Sequence, residues 1–407
     1  MTTSTQPNPA QTPTASYVTL VAALTSMVAL ATDIMLPALD VIARDLGAPT
    51  ANDAHAVVTV FFFGFAVGQL VVGPLSDTYG RRPVILVGFA LFVLACLAAT
   101  VTQNWWLLLV ARALQGVAVA GPRVVVIAMV RDAYEGRAMA RVMSIVMTVF
   151  ILVPIIAPSL GQGLIWLGGW RASFVGLGLL ACAAALWFAL VQEETLAPEA
   201  RRPFRAAILW TGTVEILRSR AAMGYTLGAG LIFGAFIAYL GSAQQIFAVV
   251  YDITDLFPLY FALAAVSLGA ASILNARLVM TVGMRRMTWM AIVFVSLLSV
   301  GFALVTLTYA GIPPLWVFMA WLLGIFLGVG IIFANFNALA MEPLGHMAGL
   351  GAAFVGSFAT LTALPLAALI SQRFDGTITP LVAGFAILGT ATMLVMLWAT
   401  RGRPNAA

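Results

Sequence analysis

The sequence predicts an all-α polytopic membrane protein, with twelve spanning helices arranged as two six-helix halves related by a pseudo-two-fold axis. Three observations carry this. Of its 407 residues, 62% are hydrophobic and only 9% are charged, against roughly 25% charged in soluble domains. Its mean hydropathy is +1.04. The apolar residues fall in twelve long runs, each near the length a spanning helix needs. Such a composition excludes a soluble globular enzyme, which would have too little polar surface to cover its core. A disordered chain would be poor in large aliphatic residues, and a disulfide scaffold would be rich in cysteine. An outer-membrane barrel would show short alternating segments instead of unbroken apolar runs.

Cutting at charges, prolines and glycine turns places the first six spans at 16–39, 55–75, 83–102, 105–130, 139–166 and 170–191. The second six fall at 221–250, 255–276, 287–309, 314–341, 347–370 and 378–400. Residues 1–15 are polar and lack the basic start and short apolar core of a secretory signal, so they read as a disordered cytoplasmic tail. Residues 16–192 form the first half, 193–220 a charged cytoplasmic linker, 221–400 the second half and 401–407 a cytoplasmic tail.

The arginines test this threading. All 20 basic residues are Arg. With the N-terminus inside, the inner loops and tail hold 15 of them, including Arg81, Arg82, Arg285 and Arg286. The outer loops hold three: Arg44, Arg171 and Arg373. Positive residues collect on the cytoplasmic side of a membrane, and a missed helix would destroy the split. The net charge of +5 therefore marks a membrane face, not a nucleic-acid groove. Cys96 and Cys182 lie inside apolar runs and read as small buried hydrophobes. The two histidines, His55 and His346, lie near segment ends and suggest no metal site.

Charged residues inside a span are costly and point to function. In the first span, Asp33 is the only carboxylate well inside any run, ~10 Å from the outer end. In the fourth, Arg112 lies at about the same ~10 Å depth, so the two are expected to meet. A carboxylate balanced between burial and a neighbouring guanidinium can take up and release a proton near neutral pH. Arg123 follows Arg112 by eleven residues, which returns it to nearly the same helix face and predicts a basic strip along the cavity. Gln115 beside Arg112, with Tyr239, Gln244, Gln245, Asn335 and Asn337 in the second half, are candidate cavity residues. The run Phe61-Phe62-Phe63 covers several helix faces and reads as lipid contact.

Several segments carry a family likeness. The loop Gly73-Pro-Leu-Ser-Asp77-Thr-Tyr-Gly80-Arg81-Arg82 resembles the signature of the major facilitator superfamily, and a weaker copy ends at Gly283-Met-Arg285-Arg286. Aligning Gly80 on Gly283 places the two at the same point of each half, as a parallel six-helix repeat requires. Arg112-Ala-Leu-Gln-Gly116 resembles the superfamily's motif in helix four. Ala157-Pro158-Ser-Leu-Gly161 partly matches the motif of its antiporter branch, with Pro158 expected to kink the helix and Gly161 to allow close packing. With Thr32-Asp33-Ile-Met-Leu36-Pro37-Ala38-Leu39, these segments resemble the Bcr/CflA drug-resistance subfamily over most of the chain.

That resemblance implies a proton-coupled antiporter of the bacterial inner membrane, exporting drug-like molecules by alternating access. Asp33 and Arg112 would handle the proton, and Gly73, Asp77, Gly80, Arg81, Arg82, Pro158 and Gly161 would serve gating. It implies no enzymatic activity and no cofactor beyond the proton gradient. The expected partners are a small-molecule substrate, protons and the lipid bilayer, with no nucleic acid, and the expected state is a monomer. Two arginines against one carboxylate would favour neutral, zwitterionic or weakly acidic compounds. A metabolite transporter of the same fold (for a sugar, nucleoside or organic acid) is the alternative.

Overall fold

The computed structural model describes residues 13–134, 136–201 and 206–400. The tail expected over 1–15 lies almost wholly outside the described residues, as do positions 202–205 of the linker and the tail 401–407.

The first span is not one helix. α1 (Ala15–Asp33) starts at Thr14, whose side chain accepts from the Tyr17 N–H. It stops at Asp33, where a single expected span ran on to residue 39. The reason is Pro37, which has no N–H to give to the carbonyl four residues back. The backbone tightens instead: Met35 N–H donates to the Thr32 carbonyl, and one 3₁₀ turn (Leu36–Ala38) leads into α2 (Leu39–Asp45).

α3 (Ala56–Tyr79) and α4 (Arg81–Val101) meet at Gly80, whose φ of 104° suits glycine. α5 (Trp105–Ala133) is capped by Asn104, which accepts from the N–H groups of Trp106 and Leu107. α6 (Gly136–Val191) breaks at Gly168 and Gly169, the latter with φ 68°, and so supplies two spans. Its backbone keeps helical φ/ψ through Pro154 and Pro158, and the break falls between the two spans expected at 139–166 and 170–191. α7 (Ala206–Arg218) lies in the linker. α8 (Arg220–Gln245) is capped by Ser219 and runs into a π turn (Ile246–Val250). The chain then continues through α9 (Phe257–Val282), α10 (Met284–Thr308), α11 (Leu315–Met341), α12 (Ala348–Ser371) and α13 (Thr379–Thr400). Among the described residues, eleven stretches are long and apolar enough to cross a membrane. Crossing twice across its glycine break, α6 brings the passages to twelve.

The halves repeat in their packing. In the first, α3 packs on α5, α4 on α5, α1 on the first part of α6, and α4 on α6. Six spans later, α9 packs on α11, α10 on α11, α8 on α12 and α10 on α13. The seam obeys the same rule, with α3 against α12 and α6 against α9. Gly283 between α9 and α10, with φ 86°, stands where Gly80 stands between α3 and α4, as the sequence alignment of the two loops required.

Glycines permit the closest approaches. A Cβ on Gly116 would collide with the Phe61 carbonyl and one on Gly64 with the Ala113 carbonyl, so α3 and α5 touch backbone to backbone. Gly161 meets the Ile34 carbonyl in the same way. Gly73 has open space around it and mediates no close helix contact. Cys182 faces outward, unlike Cys96, because the second part of α6 presents that face to lipid. Of the phenylalanine run only Phe63, 51% exposed, faces outward; Phe61 and Phe62 are buried between helices.

Gly116→Val is expected to lower stability by about 1–3 kcal/mol or to prevent folding. Gly73→Ala is expected to be neutral or up to ~1 kcal/mol stabilising, because the helix gains and nothing clashes. Thermal unfolding in detergent compares the two.

Candidate functional site

The break in α1 leaves carbonyls without helical donors in the middle of the bundle. Arg112, on α5, answers them. Its Nη1 donates to the Ala31 carbonyl at 3.0 Å and to Gln115 Oε1 at 2.8 Å, and its Nε donates to the Val57 carbonyl of α3 at 3.0 Å. The guanidinium lies 4.5 Å from the centre of the Phe61 ring. Gln115 passes the chain on, donating to Cys96 Sγ at 3.3 Å. Arg112 is 0% exposed. A cation at the C-terminal end of a helix also suits the helix dipole.

The matched depth of Asp33 and Arg112 is correct, since Arg112 bonds the residue two before Asp33. The expected contact between their side chains is not formed. Asp33 is buried and makes no hydrogen bond or ion pair among the described residues. It lies instead within electrostatic range of Tyr239 on α8, in the other half. Tyr239 is fully buried, with its ring stacked on Phe261 at 5.9 Å and edge-on to Phe326 at 5.0 Å. Its hydroxyl has no hydrogen-bond partner. Asp33 therefore sits at the seam between the halves, opposite a phenol.

An aromatic cluster adjoins this seam. Phe62 of α3 meets Phe233 of α8 across the halves at 5.5 Å. Phe233 and Phe236 both pack against Phe333 of α11, at 5.6 and 5.8 Å. Sequence reading missed it by assigning Phe62 to lipid. The three-residue spacing of Phe233 and Phe236 was the available signal, because it sets both rings on one helix face.

The other expected cavity residues are dispersed. Gln115 is taken up by Arg112 and Cys96 inside the first half. Asn335 exchanges two hydrogen bonds with Asn275 of α9, at 3.1 and 2.9 Å, and so joins α11 to α9. Asn337 is exposed. Gln244 and Gln245 stand at the end of α8 opposite the arginine-rich loops. Arg123 is half-buried on α5, next to Pro122.

Of the expected gating residues, Asp77, Gly80, Arg81 and Arg82 gather at one loop, whereas Pro158 and Gly161 lie on α6, Gly161 against Ile34. Arg81 reaches Asp77 and Ser76 of α3 and, at 3.1 Å, Asp132 at the end of α5. The carboxylate of Glu194, just past α6, accepts the backbone N–H groups of Arg81 at 2.9 Å and Arg82 at 3.1 Å, capping α4. Arg82 donates to the Ala189 carbonyl at 2.8 Å. In the second half Arg285 pairs with Glu342 at 3.0 Å. This mirrors Arg81 with Asp132 and places Glu342 at the arginine-rich end, away from the centre.

A helical bundle of two similar halves around a seam, with a buried carboxylate on it, defines a membrane transporter more closely than any other class. The chain belongs to the major facilitator superfamily, whose family model matches residues 21–364. It is thus a multi-pass membrane transporter and not an enzyme. It is 28% identical over 351 residues to a bicyclomycin resistance protein homolog of Haemophilus influenzae, covering 86% of this chain and 87% of that one. It is 27% identical over 377 residues to multidrug resistance protein D of Escherichia coli, covering 91% of each. The fold matches a crystal structure of a D-xylose–proton symporter with a TM-score of 0.73 at 14% identity, over 95% of this chain and 98% of the other.

Arg112→Met is expected to leave the Ala31 carbonyl and Gln115 Oε1 without their donor and to cost about 2–4 kcal/mol, because two buried acceptors lose a charged partner. Arg112→Lys is expected to recover part of this. Thermal unfolding in detergent measures both.

Proposed function

We propose that this protein exports small drug-like compounds across the bacterial inner membrane in exchange for protons, by rocking its two halves around the seam at Asp33. The observation that carries this reading is Asp33 itself: a buried carboxylate at the half–half seam with no cation paired to it. A carboxylate that is not locked into an ion pair is free to exchange a proton with the compartment the seam faces. The likeness to bicyclomycin- and multidrug-resistance proteins supports drugs as the cargo.

The arginine distribution supports a cytoplasmic placement of the Arg81 and Arg285 loops and of both termini. At the opposite end the halves are joined by hydrogen bonds. Asn52 donates to the carbonyls of Gln372 and Phe374, and Gln245 donates to that of Ala51. This arrangement fits a state closed to the outside. In the cycle, Asp33 takes a proton when the seam opens outward and releases it inward as cargo binds. The gradient is the only energy source, no cofactor or nucleic acid takes part, and the monomer is the working unit.

The charge count that favoured neutral, zwitterionic or weakly acidic cargo changes once Arg112 is seen bonded to carbonyls inside the first half. The aromatic cluster around Phe233 and Phe333 favours compact, uncharged aromatic molecules.

Adding a neutral aromatic antibiotic to the purified protein in detergent near pH 7 is expected to release protons. Asp33→Asn is expected to bind the same drug with no release and to give no resistance in cells. Release that persists in Asp33→Asn would move the proton site elsewhere. No release with neutral, anionic or cationic drugs would favour a metabolite as cargo.

A further inference from the structure

Tyr239 carries a hydroxyl that the packing of α8 does not explain. The side chain is fully buried, and its hydroxyl has no hydrogen-bond partner among the described residues. A buried polar group left unpaired is costly, and a phenylalanine would fill the same space without that cost. The ring is fixed from two sides, stacked on Phe261 of α9 and edge-on to Phe326 of α11. The O–H bond is therefore the part free to turn. Across the seam is Asp33, also buried and also without a hydrogen bond or ion pair among the described residues. The two lie within electrostatic range, and α8 packs against the 3₁₀ turn that follows Asp33. Two unpartnered groups thus oppose each other across the halves, one a donor and the other an acceptor once ionised.

We infer that Tyr239 is a positioning residue for the proton of Asp33: when Asp33 gives its proton up, the Tyr239 hydroxyl donates to the carboxylate, directly or through one water, and holds the charge within the seam. This rests on the reading of Asp33 as a carboxylate that exchanges its proton, and adds what receives the charge. Tyr239 keeps its own proton throughout. A buried carboxylate needs donors. A fixed cation would lock it in the ionised form, whereas a phenol supplies a charge-assisted hydrogen bond and leaves the proton's return possible. The charged groups nearby are committed elsewhere. On α5, Arg112 is bonded to carbonyls and Gln115, its Nη2 reaches no carboxylate, and Arg123 lies eleven residues further along. The first part of α6 carries arginines only at its start, and the 3₁₀ turn Leu36–Ala38 has no titratable side chain. On α2, Asp40 accepts from the Gln244 amide, Arg44 donates to the Asp40 carbonyl and Asp45 accepts from Trp170. His55 meets Gly241 of α8, about 200° around the helix from Tyr239, and its neighbour Asp53 is bonded to Thr50. Arg220 and Tyr225 lie at the other end of α8. On α9, Tyr260 stacks on Phe247 and Arg277 lies near the far end, while α11, α12 and α13 have no titratable side chain.

The test reads Asp33 itself, in the full chain reconstituted in lipid and without drug. Infrared spectra taken from about pH 5 to about pH 10 follow the carboxylic-acid C=O band that Asp33→Asn removes. Tyr239→Phe keeps the ring and takes away only the hydroxyl. It is expected to raise the midpoint of that band by about one to two pH units, as loss of a hydrogen bond to the charged form would. The tyrosine C–O band that Tyr239→Phe removes is expected to shift in the wild type as Asp33 ionises, and to stay in place in Asp33→Asn. A hydroxyl that merely fills space would move neither. An unchanged or lowered midpoint, a C–O band indifferent to pH, or no titrating band that Asp33→Asn removes would overturn the inference. Drug-driven proton release is measured beside it. Release absent while both bands behave as expected would remove the antiport reading and keep the role of Tyr239. Release lost in Asp33→Asn, with the midpoint unmoved in Tyr239→Phe, would do the reverse.

Discussion

The architecture of the first half depends on how the broken end of α1 is satisfied. In hydrocarbon no water can serve a carbonyl freed by a proline. The break before Pro37 is tolerated because Arg112 reaches across from α5 and takes up the Ala31 carbonyl, while bonding α3 through Val57. One side chain thus pins three helices around the residue that carries the seam's carboxylate. The arginine costs desolvation and would be destabilising as an isolated ion. Here Nε and Nη1 meet three acceptors and the guanidinium face meets Phe61, which offsets part of that cost, while Nη2 stays without a partner.

Backbone-to-backbone contacts make each half stiff, and polar contacts join the halves only locally. Gly64, Gly116 and Gly161 leave no slack between α3 and α5 or between α1 and α6. Close-packed interiors of this kind move as bodies rather than deform. At the end away from the arginine-rich loops, by contrast, the seam is joined by amide hydrogen bonds from Asn52, Gln244 and Gln245. Such bonds are individually worth little and can be exchanged for water, which suits a junction that must open and close.

Much of this was legible in the residues. The split of arginines and the position of Gly80 against Gly283 fixed the number of spans and the repeat, because topology is written in charge and backbone chirality. The depth of Asp33 and Arg112 followed from counting along helices. What Arg112 bonds to did not, because backbone carbonyls become available only once the proline has broken α1. Gln115 and Asn335 looked like cavity residues, since a buried amide needs a partner and a sequence does not say whether that partner is cargo or a neighbouring helix. The cross-half partners of Gln244 and Gln245 lie about two hundred residues away in the chain, beyond any local pattern. Phe62 was misread because three adjacent rings point in three directions, and only the packing tells which of them meet lipid.

The cap that Glu194 places on α4 has a mechanical consequence. It fastens the chain leaving the first half to the start of that helix, and the adjoining Leu196 N–H bonds to the same carboxylate. At the far side, α7 packs on α8 and α12 of the second half. The strap between the two halves is therefore much shorter than the stretch from Glu193 to Arg220. About nine residues lie between the anchored ends, a reach of at most ~30 Å when fully drawn out. The connection can act as a check-strap on a door, since a chain of that length becomes taut at a definite opening. Any separation of the halves at that face is thus limited by chain length, independently of other contacts.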